Sequence, residues 1–160
     1  MTRSGADLAL LLLGGFRTLV AEAMTELDAM GHPDFRPVHD FALRAIDSGA
    51  DSASALGRRL SVSKQAAAKT IAVLQERGYV SSAADPLDAR RKKLEVTELG
   101  RTVLREGEAI FDALRSRWER EIGADEVARI EAHLTALVAT SPRRFDDIPN
   151  WMAGDTGETA

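Results

Sequence analysis

The 160-residue chain contains no cysteine. That absence excludes disulfides, thiolate metal sites and cysteine-based redox sensing, and makes a reducing cytoplasm the natural compartment. Catalytic signatures are missing as well. Serine, histidine and aspartate all occur, but no nucleophile elbow, phosphate-binding loop or metal-protease motif accompanies them. The expectation is a non-enzyme that needs no cofactor. Histidine is scarce: His32, His39 and His133 are the only three, and although His32, Asp34, His39 and Asp40 fall close together, no metal-ligand spacing such as HxxxH is present. Helix-end and surface histidines are favoured over a zinc site. A membrane-length run is lacking too. Leu8 to Val20 follows Arg3 and loosely resembles a signal peptide, but Asp7 opens it, Arg17 interrupts it and Glu22 closes it. It is too short to cross a bilayer and reads as a soluble, buried helix.

Positive charge is also short overall, with a net charge of -4. The deficit is uneven. From Ala53 to Arg101 ten Lys/Arg stand against five Asp/Glu, so that window carries +5 and the rest of the chain -9. A basic centre between acidic flanks fits a phosphate-facing module joined to a remainder that faces something else. With 44% apolar and 29% charged residues, the chain suits one compact helical domain or the subunit of a small obligate dimer.

Apolar spacings of three and four predict a first helix from Gly5 to Met30, carrying Leu8, Leu12, Phe16, Leu19, Ala23 and Leu27 on one face. Leu11, Leu13 and Val20 widen that face, so more than one neighbour is expected to cover it, a second chain among them. Gly31-His32-Pro33 ends it, and Pro37 starts a second helix running to Asp47. A short helix over Ser52–Leu60 is followed by a tight link at Ser61-Val62. Ser63 then caps a helix to about Arg77, stopped by Gly78. Tyr79–Ser82 and Leu94–Thr97 read as two short strands with a long basic tip over Ala84–Lys93. Thr97 caps a helix over Glu98–Glu121, and a last helix spans Asp125–Ala139. Phe145, Ile148 and Trp151 are the anchors expected in the proline-containing tail. Phe111 and Trp118, seven residues apart, read as core or dimer packing.

The order of helix, short helix, tight turn, helix and hairpin is that of a winged helix-turn-helix between about Asp51 and Thr97. A helix entering the major groove must present small and polar residues on its exposed N-terminal face, and Ser63, Lys64, Gln65, Ala66 and Lys69 do so. Glutamine suits a two-point contact with adenine; lysine reaches guanine or phosphate. The wing offers Arg90, Arg91, Lys92 and Lys93, with Asp88 placed to hold the Arg90 guanidinium in a fixed pose.

At these residues the chain resembles a known family. LSVSKQAAAKTIAVLQERGYV, Leu60 to Val80, resembles the recognition helix of the multiple-antibiotic-resistance regulator (MarR) family. DPLDARRKKLEVTELG, Asp85 to Gly100, resembles its wing; Ala89 departs from the basic residue many members carry there. GHPDFRPVH, Gly31 to His39, resembles a segment before the second helix in some members. The resemblance implies an obligate homodimer in which the first and last two helices form the dimer body. It implies that Ser63, Lys64, Gln65 and Lys69 face the major groove and that Arg90 sits at the wing tip, supported by Asp88. It also implies a repressor of a pseudo-palindromic operator, released by a small apolar or aromatic effector bound between body and head, where Phe16 and His39 are the candidate lining. The expected fold is mainly α with a small β-hairpin wing and a helical dimerisation body. Its parts are residues 1–47 (N-terminal helices), 48–97 (winged helix-turn-helix), 98–141 (C-terminal dimerisation helices) and 142–160 (a partly flexible tail). The alternative is a helical homodimeric interaction or architectural module with a degenerate reading head, which the acidic total favours slightly. Double-stranded DNA and a second copy are the expected partners, and no membrane.

Overall fold

A computed structural model describes residues 4–139, without the side chains of Ala89, Arg91, Val138 and Ala139. The tail anchors Phe145, Ile148 and Trp151 lie outside the described residues. Six helices and one hairpin follow in order: α1 Gly5–Ala29, α2 Pro37–Asp47, α3 Ala53–Leu60, α4 Lys64–Glu76, β1 Val80–Asp85, β2 Asp88–Val96, α5 Glu98–Ile122 and α6 Ala124–Ala139.

Local chemistry sets most of these boundaries. Ser4, Ser52, Ser63 and Thr97 each cap a helix, their side-chain oxygens accepting backbone N–H groups of the first turn. Pro37 opens α2. Gly78, at φ +78°, turns the chain out of α4, and the Tyr79 N–H then donates to the Leu74 carbonyl at 2.9 Å. The turn between α3 and α4 needs the same left-handed geometry but uses Ser61, at φ 54°.

One core runs through the head and the near side of the long helices. Leu27 of α1, Leu43 of α2, Leu56 of α3, Leu74 of α4 and Val103 of α5 are the largest fully buried side chains. Burying each contributes about 1.5–3 kcal/mol. Val80, Leu94 and Val96 bring the base of the hairpin onto it, and the Leu94 N–H donates to the Asp51 carbonyl at 3.0 Å, fastening the wing to the link before α3. Gly100, in the first turn of α5, lies against the Tyr79 carbonyl.

The hairpin departs from expectation. The sequence predicts a long basic tip over Ala84–Lys93 between two short strands; instead β1 and β2 run almost to the turn, antiparallel from Val80↔Val96 to Ala84↔Lys92. The register then shifts: Asp85 pairs with Asp88, leaving three β2 residues, Ala89, Arg90 and Arg91, between pairs that are adjacent on β1. The Asp85 carboxylate accepts the Leu87 N–H at 2.9 Å, closing the tip.

Two further expectations change. The first helix is not buried along its length: Ala23 and Leu27 are buried, while Leu8, Leu10, Leu11 and Leu12 are 49–65% exposed. By length and composition Gly5–Ala29 is also long and apolar enough to cross a bilayer. From its middle onward it is nevertheless engaged by protein, since Gly15 faces the Trp118 ring and Glu22 pairs with Arg117 of α5. The second change concerns the histidines. His32 and His39 are not surface residues but are 5% and 6% exposed.

His39 accepts the Arg36 backbone N–H on Nδ1 at 3.1 Å and meets Phe35 edge to face. Burial, then the charges of Arg77 and Arg36, push its pKa from 6.5 down to about 4. The folded chain therefore keeps His39 neutral where the unfolded chain binds a proton, so its contribution is present above pH 6.5 and lost as the pH falls toward 4. Discounted for the water that reaches the ring, the loss is expected to be about 1–3 kcal/mol. Urea melts of the wild type and His39→Gln at pH 7 and pH 4.5 check this. Equal acid losses in both would show that His39 is not the group responsible.

Candidate nucleic-acid interface

The face of α4 is built by its period. Ala67, Ile71 and Leu74 point into the core, which turns Lys64, Gln65, Ala68, Lys69 and Ala72 outward. Ser63 accepts the Ala66 N–H at 3.0 Å, so its hydroxyl is committed to the cap while the residue remains exposed. The side chains of Lys64, Gln65 and Lys69 make no hydrogen bond or ion pair among the described residues. Ala66, Ala68 and Ala72 keep this face low, so the three long polar side chains project from a slim helix able to approach a groove floor.

The wing supplies a second cationic group. Arg90 and Lys92 are exposed and Lys93 is half-buried on β2; the Arg91 side chain lies outside the described residues. Asp88 does not hold the Arg90 guanidinium as expected. Its Oδ1 accepts the Arg90 backbone N–H at 3.0 Å, satisfying a donor near the register shift, and the guanidinium is left to solvent. Asp88 thus acts on the main chain of the wing and not on the Arg90 side chain.

Contacts that sequence reasoning missed tie α4 to the wing and to the link between α1 and α2. The Gln75 amide of α4 donates to the Ser82 hydroxyl of β1 at 2.7 Å. Arg77, at the end of α4, donates to the Pro33 carbonyl at 2.7 Å. Neither bond has a local signal, because the partners are 7 and 44 residues apart.

The ligand and metal candidates fare differently. Phe16 stands on the outer surface of α1 at 37% exposure, whereas His39 is buried in α2 against Phe35, and no hydrogen bond or ring contact joins them. An open groove of about 580 Å³ lies instead between α2 and α5, lined by Arg44, Asp47, Ser48, Arg101, Leu104, Arg105 and Glu108. His32, the residue that opened the zinc question, has both ring nitrogens engaged, Nδ1 by the Tyr79 hydroxyl at 2.8 Å and Nε2 by Glu106 at 2.6 Å.

Comparison with known proteins adds the lineage. The MarR family sequence model matches residues 41–91, from within α2 to the wing. No curated protein sequence matches the chain. Among solved structures, Streptococcus pneumoniae FabT in complex with DNA superposes with a TM-score of 0.68 at 18% identity, over 84% of this chain and 94% of that one. A mutant of S. aureus MepR bound to an oligodeoxyribonucleotide gives 0.60 at 16%, over 82% and 96%. A MarR-family transcriptional regulator from Rhodococcus sp. RHA1 gives 0.61 at 20%, over 88% and 100%. At these identities the structural likeness establishes the winged-helix fold, while the head carries the family's sequence pattern. The head is thus similar to the MarR family over residues 41–91, and the chain as a whole has the winged-helix fold of these structures.

Proposed function

We propose that this protein is a homodimeric, sequence-specific DNA-binding regulator that acts as a ligand-responsive repressor in the cytoplasm. The observation that carries the DNA reading is the outer face of α4, where Lys64, Gln65 and Lys69 stand exposed and unpartnered among small alanines. Seated in the major groove, Gln65 would read an adenine edge and the lysines guanine or phosphate, while Arg90, Lys92 and the neighbouring Arg91 would follow the wing to the minor groove. FabT and the MepR mutant were each solved with DNA, and both share this fold. The net charge of -4 does not oppose it, because the acidic residues concentrate outside the Ala53–Arg101 window.

Dimerisation is supported by where the uncovered apolar surface lies. Of the thirteen exposed large hydrophobics among the described residues, eleven sit on α1, α5 and α6, the helices of the expected body. Two heads joined through that body would meet half-sites roughly one helical turn apart. An effector between body and head would change the distance between the two α4 helices and so lower operator affinity.

Selection of duplexes from a random pool tests the reading, since it reports specificity and half-site spacing together. A paired motif is the expected result. Gln65→Ala is expected to relax preference at one position of each half-site by about 1–3 kcal/mol, and Arg90→Ala to weaken all duplexes with a shallower salt dependence. A pool that yields no enriched sequence would leave the interaction-module reading in its place.

A further inference from the structure

The expected groove contacts lie at the start of α4, but the polar bonds that aim the helix gather at its other end. His32, in the link between α1 and α2, is 5% exposed and holds two partners far away in sequence. Its Nδ1 meets the Tyr79 hydroxyl at 2.8 Å and its Nε2 meets Glu106 of α5 at 2.6 Å. In the neutral ring this makes Nε2 the donor to the carboxylate and Nδ1 the acceptor of the phenol proton, so every member of the chain is satisfied. Tyr79 is fixed to the exit of α4 from several sides. Its N–H donates to the Leu74 carbonyl at 2.9 Å, its carbonyl accepts the Thr97 N–H at 3.0 Å, and its ring packs on His32 and edge-on to Phe35. Arg77, gripping the Pro33 carbonyl at 2.7 Å, fastens the same link to α4 a second time.

We propose that His32 is a positioning residue for DNA reading, coupling Glu106 on α5 to Tyr79 at the exit of the recognition helix. The inference rests on the DNA-binding reading above and adds the part that sets the angle of α4 against the body. The lever is long. The 13 residues of α4 span about 20 Å at roughly 1.5 Å per residue, so a tilt of 5° at Tyr79 displaces the Ser63–Gln65 end by about 1.7 Å. That is enough to take a side chain out of hydrogen-bond range of a base edge. In a two-headed complex the displacement alters half-site spacing, which a residue that only fills the core would not control.

The test reads spacing rather than stability alone. Duplexes carrying the selected motif are prepared with the half-sites at their native separation and moved by one or two base pairs, and are titrated with the wild type, Tyr79→Phe, His32→Gln and Glu106→Gln, beside a scrambled duplex. Tyr79→Phe keeps the ring and removes only the hydroxyl. It is expected to remain folded, to lose about 5- to 10-fold in affinity at the native separation, and to penalise shifted half-sites less than the wild type does. Affinity for the scrambled duplex should not change. Glu106→Gln, whose amide oxygen still accepts from Nε2, should keep the wild-type spacing profile. A folded Tyr79→Phe with the wild-type affinity and profile would overturn the proposal, leaving His32 a packing residue. If Tyr79→Phe does not fold, Glu106→Ala at its half-buried site decides by the same profile. If the wild type itself prefers no duplex, the DNA reading fails and this inference with it.

Discussion

Alanine at Gly100 is expected to destabilise the fold by about 2–3 kcal/mol, although alanine is the better helix former. A Cβ at that position would stand 2.3 Å from the Tyr79 carbonyl oxygen and 2.7 Å from Val96 Cγ1. The oxygen is main chain and already accepts the Thr97 N–H at 3.0 Å, so it has nowhere to retreat without opening the joint between α4, the hairpin and α5. The helix-propensity gain of about 1 kcal/mol offsets only part of that cost. Gly107, in the same helix with nothing within 4 Å of its added Cβ, supplies the control, and alanine there is expected to be neutral or stabilising by up to about 1 kcal/mol. Urea unfolding of both variants at one protein concentration checks the pair. A Gly100→Ala protein as stable as the wild type would mean that the close approach relaxes freely.

A carboxylate placed on the outer face of α1 is expected to have the larger functional effect. Leu8, Leu12 and Phe16 recur every four residues and are 59%, 49% and 37% exposed, forming one uncovered stripe on the proposed dimer body. Glutamate at Leu12 would have to be buried without a partner when two chains associate, which costs several kcal/mol. The dimer dissociation constant of Leu12→Glu is therefore expected to rise by at least about 100-fold, with a comparable loss of operator affinity once a single head must bind alone. Sedimentation at micromolar concentration and titration of the selected duplex read the two effects separately. A Leu12→Glu protein that stays dimeric would remove this stripe from the interface.

The sequence marks the helices of the head well because their ends are written locally. Pro37, Ser52, Ser63, Gly78 and Thr97 each act on the turn they begin or end, and the observed bounds follow them. The wing was harder to see. Beyond Leu94 and Val96 neither face of the hairpin is buried as a whole, so no apolar alternation separates a strand from a basic loop. Long-range polar contacts were invisible for another reason. His32 needs Tyr79 and Glu106, 47 and 74 residues away, and only the fold brings them together. The apolar periods of α5 and α6 predicted buried stripes, yet Phe111, Ile122, Ile130 and Leu134 are 36–49% exposed within one chain. Periodicity says that a face avoids water without saying which molecule covers it. The exposed residues of α4 stand on the face that its apolar period leaves outward, whereas nothing local relates Phe16 to His39, because that depends on how α1 and α2 lie together.

The register shift at the wing tip separates two properties that a hairpin usually binds together. Ala89, Arg90 and Arg91 lie beyond the last regular pair, Ala84↔Lys92, while the ladder from there to Val80↔Val96 is what joins the hairpin to the core. Residues can be gained or lost in that outer segment without sliding Leu94 and Val96 off the core face. The reach of the wing is thus free to drift in evolution, or to be varied by an engineer, at little cost to folding, while the scaffold beneath it stays the same.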